Sequence, residues 1–273
     1  MNEQDDVSDA PVIDTSTAHP ARRYNYWLGG KDHFAADRES GDELERLFPG
    51  LRIGVRANRD VLRRMTHHLA AEAGIRQFLD IGTGLPTADN THEVAQRAAP
   101  DARVLYVDND PLVMSHARAL LTSSPEGRTA YIEADLRQPE KILEASELTE
   151  TLDLTRPVAL MLIAVLHFVR GRDRARPLVR RLVSALPSGS YVAITHGTVD
   201  FLAPEVASTA QQMAEDGKVD VWPRGRDEVV ALFDDLDLVD PGVVLASQWR
   251  PEPGAEQPDP RDVGVWAGLA RKP

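Results

Sequence analysis

Five short apolar runs, at 77–81, 103–107, 129–132, 158–163 and 190–195, succeed one another with helix-patterned stretches between them. Strands read as unbroken apolar runs when crossover helices cover both faces of a parallel sheet, so this rhythm predicts an open α/β sheet. The helix starts agree with it. Asp110 is placed to cap free amides and Pro111 takes the first helical position, predicting a helix to about residue 122. Asn90 followed by Glu93 reads as a capping box opening a helix that Pro100 ends. Beyond residue 195 the pattern changes to helical stretches at 204–215 and 227–236. Two further apolar runs follow, at 242–249 and 263–269, separated by the proline-rich segment 251–260. They are expected to be neighbouring antiparallel strands, giving a seven-stranded, mostly parallel sheet with an antiparallel last strand.

The first of these runs ends in Asp80-Ile81-Gly82-Thr83-Gly84-Leu85-Pro86, and the second ends in Tyr106-Val107-Asp108. A glycine turn at a strand end lets a ligand touch bare backbone, and an acid closing the next strand can accept both hydroxyls of a ribose. Thr87 stands where the dinucleotide fingerprint needs its third glycine, which weakens a pyrophosphate ligand. A nucleoside without phosphate remains, and S-adenosylmethionine is the commonest of these. Methyl transfer is the leading reading. A nicotinamide oxidoreductase is disfavoured by Thr87 and by the lack of a Tyr-x-x-x-Lys pair, and a regulatory protein that senses the cofactor without transferring methyl stays open.

Composition narrows the partners. With 43 acidic and 31 basic residues the net charge is −12, a field that repels nucleic acid and anionic membranes and favours a small-molecule acceptor. The chain has no cysteine, which excludes disulfides, thiolate metal sites and cysteine nucleophiles. His67-His68 is not expected to bind metal, because adjacent helical residues point about 100° apart. No apolar run approaches the length of a membrane span, and residues 1–19 lack the basic and apolar regions of a secretory signal. These features predict a cytoplasmic chain with a disordered tail over 1–19. Residues 20–273 then form a single domain, 20–74 being a helical lid or extension and 75–273 the sheet core. Whether the chain forms a homodimer is left open.

The stretch RRYNYWLGGKDHFAADR from Arg22 to Arg38, together with DIGTGLPTADNTHEVAQ, VLYVDNDPLVMSHARALL, ADLRQPEKIL, AVLHFV and LPSGSYVAITH, resembles the actinobacterial S-adenosylmethionine-dependent methyltransferase family once called DUF574. The resemblance runs from Pro20 to the C-terminus and departs at Asn25, where Asp is expected, and at His33, where Asn is expected. It implies a Rossmann-like class I methyltransferase fold that binds S-adenosyl-L-methionine.

On that reading Gly82, Thr83 and Gly84 approach the methionine part of the cofactor, and Asp80 orients the loop or meets the cationic amine. Asp108, followed by Asn109, grips the ribose. Asp135 accepts from the adenine amine while the amide of Leu136 donates to the ring, largely because the family implies it. Ala164 and His167 follow the fourth strand, whose end faces the same crevice, and His167 is the candidate base for an acceptor hydroxyl or amine. The segment from Tyr24 to His33 suits a lid, with Tyr24, Tyr26 and Trp27 as acceptor-pocket aromatics and Gly30, Lys31 and His33 beside them; Lys31 would meet a carboxylate. Packing of an N-terminal helix explains the aromatics equally well. The arginines at 52, 56, 59, 63 and 64, and at 170, 172, 174 and 176, read first as solvated, salt-bridged faces and second as a way to recognise an acidic substrate.

Overall fold

In the computed structural model, which describes residues 13–273, the expected runs form strands β1 Gln77–Ile81, β2 Arg103–Asp108, β3 Arg128–Glu133, β4 Ala159–Ile163 and β5 Tyr191–Gly197. All five are parallel, and antiparallel β8, Val265–Arg271, adds to β5. The order is β3-β2-β1-β4-β5-β8, so the chain leaves β1 in one direction towards β3 and returns to β4 on the other side of it. The crevice between the ends of β1 and β4 is therefore the topological switch point, where such sheets bind ligands. Every residue of β1 and β4 is buried, as an unbroken apolar run on a doubly covered strand requires.

The outer edge differs from expectation. The run at 242–249 contributes only β7, Val244–Leu245, followed by a short 3-10 turn, and β6, Asp237–Leu238, precedes it. Both pair with β8, at Leu238↔Ala270 and Val244↔Ala267, so they are one outer strand interrupted by an excursion over 239–243. The sheet consequently counts eight strands. The region expected to be helical over 227–236 also divides, into a helix Arg226–Val230 and a 3-10 turn Ala231–Phe233.

Helices precede and cover the sheet: α1 Pro20–Trp27, α2 Ala35–Leu47, α3 Leu51–His67, α4 Thr91–Ala98 and α5 Pro111–Leu120, then α6 Pro139–Leu143, α7 Ser146–Thr151, α8 Ala175–Ser184 and α9 Pro204–Glu215. The cap signals perform as read. Asn90 and Glu93 make a reciprocal capping box on α4, and Asp110 accepts from the Leu112 amide at 3.0 Å to start α5. No helix among the described residues is long and apolar enough to cross a membrane.

Residues 1–12 of the expected tail lie outside the described residues. Residues 13–19 are tied to the domain: Ile13 packs with Leu85, Leu112 and Met114, and the Asp14 carbonyl accepts from Arg22 Nη1 at 2.6 Å. The extension is anchored again by Arg22, whose Nε and Nη2 each donate to one oxygen of buried Asp110 at 2.9 Å. A single carboxylate thus caps α5 and holds α1.

Candidate active site

The end of β1 turns sharply because Gly82 and Gly84 both adopt left-handed backbone, φ +77° and +69°. Their reasons differ. A Cβ on Gly82 would stand 2.3 Å from Val165 Cγ2, whereas one on Gly84 would meet nothing within 4 Å. Gly82 is needed so that the turn can pack on the loop after β4, and Gly84 leaves bare backbone facing open space. The Gly82 amide donates to the Val107 carbonyl at 2.7 Å, stitching the turn to the end of β2.

These turns wall a cavity of about 1150 Å³ at the switch point. Asp80, Gly82, Thr83, Gly84, Asp108, Asn109, Asp135, Leu136, Ala164 and His167 all line it. Asp108 is 5 % exposed, accepting from the Gly84 amide at 2.8 Å and the Asp110 amide at 3.0 Å. Burial pushes its carboxyl up, against the downward pull of those two amides. Asp80 is 3 % exposed, and burial raises it to about 6. Its bond is to the Thr91 hydroxyl at 2.6 Å, at the start of α4, rather than to the glycine loop. Asp135 is held low chiefly by its hydrogen bonds to Arg137, and Asn109 reaches the same carboxylate. Ala164 occupies left-handed backbone at φ +53°, a strained conformation for a residue with a Cβ, at the tip of β4.

His167 lines the cavity, but its chemistry departs from that of a base. Burial, reinforced by the charges of Arg224 and Arg23, lowers it to about 4. Its Nδ1 accepts from the Gly197 amide at 3.3 Å, which assigns the ring proton to Nε2. The available nitrogen is therefore a donor. Behind it sits an arrangement the sequence did not announce. Arg224 is 1 % exposed and donates to the carbonyls of Leu166, Val169 and Gly171 and to His196 Nε2. A guanidinium without an ion pair among the described residues thus pins the turn that carries His167, and burial, with the charges of His167 and Arg224 added, keeps His196 neutral as well.

Of the six residues of the lid expectation, Tyr24 and Trp27 line the cavity, together with Arg23 and Asn25 of the same helix, and the other four do not. Tyr26 lies about 200° round the helix from Tyr24 and faces away, its hydroxyl on Asp42 at 2.6 Å and Arg52 over its ring. Gly30, Lys31 and His33 stand outside the cavity wall, in a turn organised by Asn25, whose Oδ1 accepts from the Asp32 amide at 3.0 Å. A Cβ on Gly30 would strike that amide side chain at 2.4 Å, so Gly30 serves the turn. Lys31 is exposed and His33 contacts the Gly30 carbonyl at 3.1 Å.

Asn58 of α3 is the other residue missed. It donates to the Tyr24 hydroxyl at 2.8 Å and accepts from the Thr195 hydroxyl at 2.5 Å, and Thr195 accepts from the Ala164 amide at 2.8 Å. The extension and the strained tip of β4 are thereby one hydrogen-bonded unit.

The profile of a family described as S-adenosyl methyltransferase matches residues 6–273. A crystal structure of a DUF574 family protein from Streptomyces avermitilis is 49 % identical, with a TM-score of 0.90 over 96 % of this chain and 100 % of that one. A candidate methyltransferase from Thermobifida fusca is 41 % identical, with a TM-score of 0.86 over 97 % and 99 %. An O-methyltransferase family protein from Burkholderia thailandensis shares the fold at 14 % identity, TM-score 0.52, covering 88 % of this chain and 60 % of that one. No curated protein matches. With the profile spanning nearly the whole chain and the glycine turn, paired acids and switch-point cavity in place, the chain belongs to the S-adenosyl methyltransferase family.

Proposed function

We propose that the chain transfers the methyl group of S-adenosylmethionine to a small-molecule acceptor held in the same cavity, as a cytoplasmic enzyme. The observation that carries the reading is the pairing of bare backbone at Gly84 with buried Asp108 across the switch point. Each Asp108 oxygen accepts one amide and retains a second lone pair, enough for the two hydroxyls of a ribose. Asp80, ionised at neutral pH, suits the cationic amine of the amino-acid part. The loop runs on to Asn90 before α4 starts, with the Thr87 amide on Asn90 Oδ1 at 3.0 Å, so a helix N-terminus is not set against the glycines as a pyrophosphate needs.

When bound, the cofactor supplies a sulfonium methyl open to in-line attack. The protein contributes orientation and exclusion of water. Leu44, Phe48, Val55, Phe201 and Met213 also wall the cavity and offer apolar surface for the body of an acceptor. His167 would orient the acceptor atom by donating from Nε2. Any inflection near pH 6 in the rate profile then belongs to Asp80 and persists in His167→Ala, which should lower kcat/KM only about 10-fold through lost orientation. An inflection near 6.5 that vanishes in the variant would restore the base role.

Calorimetry with S-adenosylmethionine, S-adenosylhomocysteine and NAD tests the reading. Heat from both adenosyl ligands and none from NAD is expected, and uptake of NAD alone sinks it. Methyl-donor consumption with hydroxylated and amine acceptors then separates an enzyme from a sensor. The two glycines provide an internal check. Gly82→Ala should destabilise the fold by about 2–4 kcal/mol, through backbone strain and the Val165 clash, whereas Gly84→Ala carries only the strain of about 1–2 kcal/mol and intrudes on the ligand. Denaturant melts and cofactor titrations should therefore rank the variants in opposite orders.

A further inference from the structure

The arginine-rich face of α3 resolves into individual fates. Arg52 pairs with Glu45 at 2.8 Å and Arg63 with Asp60 at 3.6 Å, while Arg64 donates to the carbonyls of Ala246 and Trp249. Arg59 differs. It is half-buried, lines the cavity and has no carboxylate within ion-pair distance among the described residues. Its Nη2 donates to the carbonyls of Ala88 and Asp89 at 3.1 and 3.0 Å, which holds the guanidinium against the loop that continues from Gly84. Its Nε and Nη1 make no hydrogen bond among the described residues.

The other cations of the cavity wall are committed. Arg23 is on Asp220, Arg137 on Asp135, Lys218 on Asp216 and Arg261 on Asp259. Arg170, at the far end, is on the carbonyls of Ala214 and Glu215. At the glycine-loop end, then, Asp80 and the guanidinium of Arg59 share the wall with no hydrogen bond or ion pair between them, Asp80 being held by the Thr91 hydroxyl and the second acid, Asp108, by the Gly84 and Asp110 amides. A zwitterion fits between such a pair, its ammonium towards the acid and its carboxylate towards the guanidinium.

We infer that Arg59 is the counter-ion for the α-carboxylate of the cofactor's amino-acid part, so that the N-terminal extension supplies a residue of the cofactor site. The assignment rests on the S-adenosylmethionine reading.

Titrating the full chain with S-adenosylhomocysteine and with its decarboxylated analogue, which keeps nucleoside, sulfur and amine, isolates the carboxylate. Wild type should prefer the carboxylated ligand. Arg59→Met should weaken that ligand about 10- to 100-fold and leave the analogue unchanged or tighter, erasing the preference, and Arg59→Lys should recover part of it. Equal weakening of both ligands would make Arg59 a strut for the loop and overturn the assignment, as would a wild type without preference. A wild type that takes up neither ligand overturns the cofactor reading and this assignment with it.

Discussion

Asp80→Asn is expected to stabilise the folded chain by about 2–3 kcal/mol at pH 8 while weakening the adenosyl cofactor. Asp80 is raised to about 6 by burial, above the value of about 3.9 for an unfolded aspartate. Native chains therefore hold this proton more tightly than unfolded ones. The contribution of the wild-type residue is fully favourable below about pH 4 and is lost as the pH rises through 6, when a charge must be carried in the interior. Asparagine can still accept the Thr91 hydroxyl and carries no charge. Urea melts should show the two proteins equal near pH 4, diverging between 4 and 6, and separated by a constant gap above. A variant no more stable than wild type at pH 8 would contradict this account of Asp80. Stability would be gained where ligand binding is lost, the trade expected of a group placed for function.

Removing the partner of a buried charge has the opposite sign. Arg22→Met leaves Asp110 with its helix-cap bond and the nearby His19 ring, at 3.2 Å, but without the two-pronged guanidinium. Both side chains are at most 5 % exposed, so water cannot take the place of the arginine. A loss of about 3–5 kcal/mol is expected, read from denaturant unfolding. Arg22→Met/Asp110→Asn should be far less damaging than the sum of its parts, and strict additivity in that cycle would show that the pair is not coupled. Asp110 also donates its amide to Asp108, so the single variant should loosen the ribose grip as well.

Much of the sheet was legible in the sequence because its signals are local. A strand buried on both faces writes itself as an apolar run, as at Phe78 to Ile81, and a cap writes itself within four residues, as at Asn90 and Glu93. The glycine turn and Asp108 were equally visible, since each stands at the end of such a run. The outer strand was not read, although its interruption at 239–243 carries a local mark: Pro241 has no amide N–H to give to β8, and Gly242 adopts left-handed backbone at φ +80°. Polar residues with distant partners were invisible for a different reason: Arg22 meets Asp110 across 88 positions, and Asn58 meets Thr195 across 137. Nothing in either neighbourhood names the other. Arg224, in a loop after Pro223, gave no hint that it would be interior. Tyr26 is a different case, since helical geometry alone separates it from Tyr24 and would have removed it from the pocket.

The chain of contacts from Tyr24 through Asn58 and Thr195 to Ala164 makes the N-terminal helices a poor door. Swinging them outward would break the Tyr24–Asn58–Thr195 relay and tear Arg22 from Asp110 in the same movement. Cofactor exchange along that path would therefore cost one hydrogen-bonded chain and one buried ion pair together.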